Sequence, residues 1–206
     1  DGATARGIAD LPQDVREHLK ELTVQSRRYG GLHAASGTLG AGASGSVRLA
    51  LLGIVFRSVG LPEQYPLARF VMWLRKEGIE KEVRAHVEAH EYDWDEELAN
   101  FYVAEGLHAA LIEAKPQLFA SSNSMVDALQ NTYPNVQDVS NQEMISAIRT
   151  AISRENRLPL TLIVLDEVQQ FIRQDPSLTL KIQTIAERLA GRFDGRVLLV
   201  ATGQQA

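Results

Sequence analysis

Leu160-Thr161-Leu162-Ile163-Val164-Leu165-Asp166-Glu167 is a run of leucine and β-branched residues that ends abruptly in two acids. β-Branched side chains are stiff at the first torsion and suit a pleated backbone. A continuous apolar run, rather than an alternating one, is the pattern of a strand covered on both faces, as in parallel sheets under helices. Such a strand delivers its last residue to the carboxyl edge of the sheet, where open α/β folds bind ligands. Leu162 to Leu165 followed by Asp166-Glu167 is the Walker B pattern of nucleotide hydrolases. There Asp166 is expected to hold Mg2+, because a hard cation takes oxygen ligands and keeps several waters. Glu167 is expected to orient or deprotonate the water that attacks the γ-phosphorus of ATP. Alone, two acids after a strand read more simply as solvated charge, so the flanking sequence has to decide.

Downstream, Asp175-Pro176-Ser177 opens a helix with Leu178, Ile182, Ile185 and Leu189 on one face. Arg196 to Ala201 is then a second buried strand, and strand, helix, strand predicts a βαβ crossover. It ends in Thr202-Gly203-Gln204, which puts a polar residue, Thr202, where a γ-phosphate sensor would stand, with Gln204 as a second possibility.

Upstream, Gly37-Thr38-Leu39-Gly40-Ala41-Gly42-Ala43-Ser44 matches the phosphate-binding pattern G-x-x-x-x-G-K-[ST] except that Ala43 replaces the lysine. That lysine supplies positive charge to the β- and γ-phosphates while backbone N–H groups cradle them. Two readings stay open: a disabled phosphate loop, with Ser44 still able to reach Mg2+, or a chance match among small residues. Leu32 to Ser36 is weak as a central strand, and a long helical block separates Gly42 from Asp166. Both points favour the chance match, with the phosphate loop upstream of residue 1.

The remaining chain is helical by its periodicity. Pro12 to Arg28 carries Val15, Leu19 and Leu22 at helical spacing and ends at Gly30-Gly31, which predicts one buried face. Val47 to Val59 is apolar nearly all round and reads as a deeply buried helix. Residues 61–135 contain no convincing strand. Leu67 to Glu77, Ile79 to His90, Asp93 to Ala114 and Ser124 to Thr132 read as helices, and Ser140 with Glu143 forms a capping box for the next. The expected division is therefore an ATPase-core segment over 1–60, a helical insertion over 61–135, and the Walker B and sensor strands over 136–206.

Composition narrows the class. The chain has 206 residues, 45% of them hydrophobic, and a net charge of −5. That suits a packed globule, excludes disorder, and offers no overall basic surface for nucleic acid, leaving that partner unknown. There are no cysteines, which removes disulfides and fits a reducing, cytoplasmic setting. No apolar run approaches the roughly 20 residues of a membrane span, so no membrane partner is expected. The absence of an initial methionine and the stop just after Thr202-Gly203-Gln204 suggest a fragment of a larger protein.

The run Leu32 to Gly42, the segment Val47 to Leu52 leading to Gly60-Leu61-Pro62-Glu63, Leu162 to Phe171 (LIVLDEVQQF) and Leu199 to Gln204 together resemble the P-loop ATPases of bacterial BREX and phage growth limitation (Pgl) defence systems. The resemblance covers most of the chain. It implies a P-loop NTPase-like α/β fold of AAA+/STAND type, with ATP and Mg2+ as ligands in the intact protein. It implies Asp166 as magnesium residue, Glu167 as catalytic residue and Thr202 as sensor. It also implies a very large protein working with other defence-system proteins, including a methyltransferase, with self-association possible and a fragment inactive alone. The rival is a nucleotide-independent scaffold whose helical block, 61–135, docks a partner.

Three other features weigh less. His86 and His90 share a helix face at zinc-ligand spacing, but with no third ligand a solvated face is the better reading. Glu91 to Glu97, with Trp94, reads as an acidic helix start. Arg149, Arg154 and Arg157 precede the Walker B strand; one can be imagined as an arginine finger for a neighbouring subunit, but surface charge is the simpler reading.

Overall fold

The structure is a computed structural model that describes residues 11–39, 46–119, 122–169, 172 and 177–203. In chain order the elements are helix α1 (Gln13–Ser26), a 3-10 turn (Arg27–Tyr29), strand β1 (Leu32–Thr38), helices α2 (Val47–Ser58), α3 (Tyr65–Glu77), α4 (Glu80–Ala89), α5 (Trp94–Ala99), α6 (Glu105–Ala114), α7 (Ser122–Thr132) and α8 (Asn141–Ile152), strand β2 (Leu160–Asp166), helix α9 (Ser177–Arg192) and strand β3 (Val197–Ala201). The three strands form one parallel sheet in the order β1-β2-β3. The fold is α/β, and the apolar run before Asp166 is its middle strand.

The strands pair in rows. His33, Thr161 and Val197 lie side by side, as do Ala35, Ile163 and Leu199. These rows face the core, where Ala35, Ile163, Leu165 and Val197 are buried. Helices α2 and α9 pack on this face and on each other, and α8 packs against both. The alternate rows, Ala34 with Leu162 and Leu198, and Ser36 with Val164 and Val200, face the other way. There Leu162 and Leu198 are 39% and 61% exposed. The expectation of a strand covered on both faces is thus corrected: among the described residues only one face carries helices, because both crossovers pass on the same side.

β1 is built from small residues for a packing reason. A Cβ on Gly37 would meet Ile54 Cγ1 at 2.8 Å and the Arg57 guanidinium at 2.7 Å. Glycine there lets α2 lie close against the strand, which runs two residues further than Leu32 to Ser36. Buried Leu51, Leu52, Val55 and Phe56 make α2 the centre of the molecule, as its all-round apolarity predicts.

The helical block from α3 to α7 joins the same contiguous core. Its centre is fully buried Phe70, which stacks on Phe101 at 5.3 Å and on Trp73 at 6.0 Å and meets the Tyr133 ring edge-on. The single helix expected over Asp93 to Ala114 is two, α5 and α6. The break turns Phe101 inward, and the Glu97 carboxylate accepts the Leu107 N–H at 2.7 Å, capping the new helix start. Asp93 caps α5, and Trp94 is a core residue. The Ser140–Glu143 capping box forms as expected.

α1 departs from expectation. Val15, Leu22 and Val24 are exposed, and only Ser26 of the helix is buried. Among the described residues its substantial packing is against the 3-10 turn that follows it, so its apolar stripe has no counterpart there. No helix among the described residues is long and apolar enough to cross a membrane.

Candidate functional site

The register sets Thr38 of β1 beside Asp166, with the end of β3 on the other side. The ladder continues past the last paired residues: Thr202 N–H donates to Leu165 O at 2.8 Å and Val168 N–H to Thr202 O at 3.1 Å. Asp166 and Thr202 therefore share the carboxyl rim of the sheet, and the Thr202 hydroxyl donates to Asp166 Oδ1. The Glu167 N–H donates to the same oxygen at 2.9 Å. Glu167 itself has φ 55°, a left-handed conformation costing a non-glycine residue on the order of 1 kcal/mol. The chain thus turns sharply at the acid pair.

These contacts hold the Asp166 carboxyl below its ordinary value, the Thr202 hydroxyl first and the Glu167 amide second. Asp166 is exposed and an anion at neutral pH. Among the described residues both bonds fall on Oδ1, leaving Oδ2 for a cation. This donor set fits Mg2+ bound through one carboxylate plus waters and phosphate oxygens. It does not form a closed protein cage: no group of three or more metal-ligating side chains occurs among the described residues.

A depressed carboxyl pKa adds stability above the unfolded pKa, and that contribution is lost as pH falls through the folded value. Thr202→Val removes the larger cause. The Asp166 carboxyl should then titrate at higher pH, nearer an ordinary aspartate, in a carbon-detected NMR titration; an unchanged midpoint would contradict the hydroxyl's role.

A signal the sequence reading missed lies behind this pair. Gln169, three residues past Asp166, and Gly203, next to Thr202, meet here. A Cβ on Gly203 would stand 2.6 Å from Gln169 Oε1, so glycine makes room for the glutamine beside the rim. The pairing of Gln169 with a glycine one residue past Thr202 was the available clue.

The N-terminus of α2 is differently occupied. Ser46 caps it, accepting the Leu49 N–H at 3.1 Å, and donates its hydroxyl to Asp138. Asp138 also pairs with Arg48 and accepts the Val139 N–H at 2.8 Å. Burial pushes its carboxyl up, but the hydrogen bonds from Arg48, Ser46 and Val139 outweigh that and the net shift is downward. A phosphate loop needs this helix terminus for its ligand; here a protein carboxylate stands beside it. Gly40, Ala41, Gly42, Ala43 and Ser44 lie outside the described residues, as does the alternative sensor Gln204.

The histidine pair is not the solvated face expected: His86 is half-buried, and its Nδ1 is buried without a partner among the described residues. His86 and His90 stack at 4.2 Å, but His86 Nε2 pairs with Glu113 at 2.8 Å and His90 Nδ1 bonds the His86 carbonyl. Arg149, Arg154 and Arg157 lie by the amino ends of the strands, a seven-residue strand or about 20 Å from Asp166, so none serves Asp166 within one chain. No protein-family model matches this chain, and no solved structure matches it.

Proposed function

We propose that this chain is part of a P-loop NTPase-like ATPase of AAA+/STAND type, acting in the cytoplasm in a phage-defence assembly of the BREX or Pgl kind. The observation that carries the reading is the shared rim: Thr202 from β3 bonded to Asp166 at the end of β2, with Glu167 at a sharp left-handed turn beside it. Mg2+ bound there would neutralise phosphate charge and orient the nucleotide. Asp166 offers a fixed anionic oxygen to it. Thr202 holds that carboxylate in one orientation and would serve as the sensor of the terminal phosphate. Glu167 offers a carboxylate for the attacking water.

The phosphate-binding loop is assigned elsewhere than Gly37–Ser44. Gly37 serves packing under Ile54, Asp138 stands at the α2 terminus, and position 43 is alanine. Among the described residues one edge of β3 is unpaired. A further parallel strand laid there would bring its own loop and lysine next to Thr202 and Asp166. The lack of a free cation on α2 favours the rival, a nucleotide-independent scaffold, since Arg48 and Arg57 are each paired with a carboxylate.

One experiment separates the two. In the full-length protein, Glu167→Gln should keep ATP binding and slow hydrolysis about 100-fold. Turnover at the unaltered rate would exclude the catalytic assignment, and absence of ATP binding in the unaltered protein would favour the scaffold.

A further inference from the structure

The amino ends of the strands carry a second constellation, opposite the acidic rim. Arg196 immediately precedes β3, and Tyr29 and Arg157-Leu158 lie within three residues of the starts of β1 and β2. With Arg28 and the end of α8, they surround an open cavity of about 730 Å3 lined by Arg28, Arg149, Arg157 and Arg196, with Glu155 as its one carboxylate residue. In a chain of net charge −5 this concentrates positive charge at one place. Among the described residues Arg28, Arg149 and Arg157 make no ion pair, and Arg196 reaches Asp194 only at 3.9 Å.

Arg28, Arg149 and Arg196 are held by contacts with rings and a carbonyl rather than by a close carboxylate. Arg149 lies over the Phe193 ring at 4.8 Å and donates to the Arg192 carbonyl at 2.7 Å. Arg28 and Arg196 both lie on the Tyr29 ring, at 5.7 and 5.3 Å. Arg157 is presented by a tight turn in which Arg154 and Arg157 exchange backbone hydrogen bonds of 2.9 and 2.8 Å. The turn's central residues, Glu155 and Asn156, have φ 47° and 61°, and a left-handed glutamate is strain of the kind that gathers at ligand sites.

We propose that this cavity binds a chain of phosphate groups, as carried by a polyphosphate or a single-stranded nucleic acid. Several separated guanidiniums suit several phosphates better than one anion, because guanidinium pairs with phosphate in a planar, two-point fashion. The volume is that of a small-ligand site. The site is independent of the Asp166 rim.

Fluorescence anisotropy with labelled dT12 at 50 mM salt tests it, with inorganic tripolyphosphate as competitor. Binding should weaken with salt at a log–log slope of about −2 to −3, as expected for three or four phosphates on a single strand. Arg157→Glu with Arg196→Glu should weaken it at least tenfold. Glu155→Gln should tighten it several-fold, a gain that a misfolded variant would not give, and Arg57→Glu should leave it unchanged. Competition by tripolyphosphate identifies the phosphate chain itself as the ligand; strand binding without competition identifies nucleic acid. If neither ligand binds, if a polyglutamate peptide binds more tightly than both, or if the charge changes have no effect, the proposal is overturned.

Discussion

Asp166→Asn should lower ATP hydrolysis by the full-length protein about 1,000-fold, and unlike Glu167→Gln it should weaken Mg2+-dependent nucleotide binding as well. The magnitude is that of removing one preorganised charged or hydrogen-bonding group from a reaction centre. The substitution keeps shape and size but removes the anion, so Oδ1 can still accept from Thr202 and Glu167 while the hard-cation ligand is lost. Asp166 is exposed, so the fold should be retained, and the circular dichroism spectrum of this chain should be unchanged. A loss of hydrolysis together with a large fall in melting temperature would assign Asp166 a structural role instead.

The second large effect is on stability. Phe70→Ala should cost about 3–5 kcal/mol, through lost burial and the cavity left behind. Phe70 is fully buried and contacts the rings of Trp73, Phe101 and Tyr133, which come from α3, the break between α5 and α6, and the end of α7. It therefore ties its own helix, α3, to two other helical segments, and little backbone adjustment can close the void. For a domain of this size the melting temperature should fall on the order of 10 °C. Because the helical block shares one contiguous core with α2 and the sheet layer, the loss should appear as one shifted transition. Two separated transitions would show that the helical block unfolds independently.

The strand pair and the rim were legible because their signals are local. A short run of leucine and β-branched residues favours a strand, and its terminal acids mark the rim. The helices were legible from their 3.6-residue period and the Ser140 cap. Other features depended on tertiary contacts. The break at Asn100–Ala104 follows from the pull of Phe101 toward Phe70, at a stretch of weak helix formers, Asn100 to Val103. Seven-residue β1 was under-read because Ala34, Ala35, Ser36 and Gly37 favour a strand only when Ile54 and Arg57 press on it. The open face of the sheet ran against a pattern that is ambiguous between one and two covered faces, since Leu162 and Val164 are as apolar as their buried neighbours.

The similarity of Gly37–Ser44 to a phosphate loop shows the limit of spacing alone. Its first glycine has a packing function, and the carboxylate at the following helix start comes from Asp138, about 90 residues away in the chain. No local pattern announces that contact. The arginines before β2 were likewise legible only as charge, until the parallel order of the strands gathered Arg157, Arg196, Arg28 and Tyr29 around one cavity.

The central claim is that metal-bound nucleotide sits on the rim shared by β2 and β3. Replacing Mg2+ with Fe2+ in the full-length protein, adding ATP and then ascorbate with peroxide, cuts the backbone next to the metal, and mass spectrometry maps the cuts. Within this chain, ATP-dependent cleavage confined to Leu165–Val168 and Ala201–Gly203 is the result expected here. Cleavage around His86 and His90 instead, or a pattern that does not change with ATP, would contradict it.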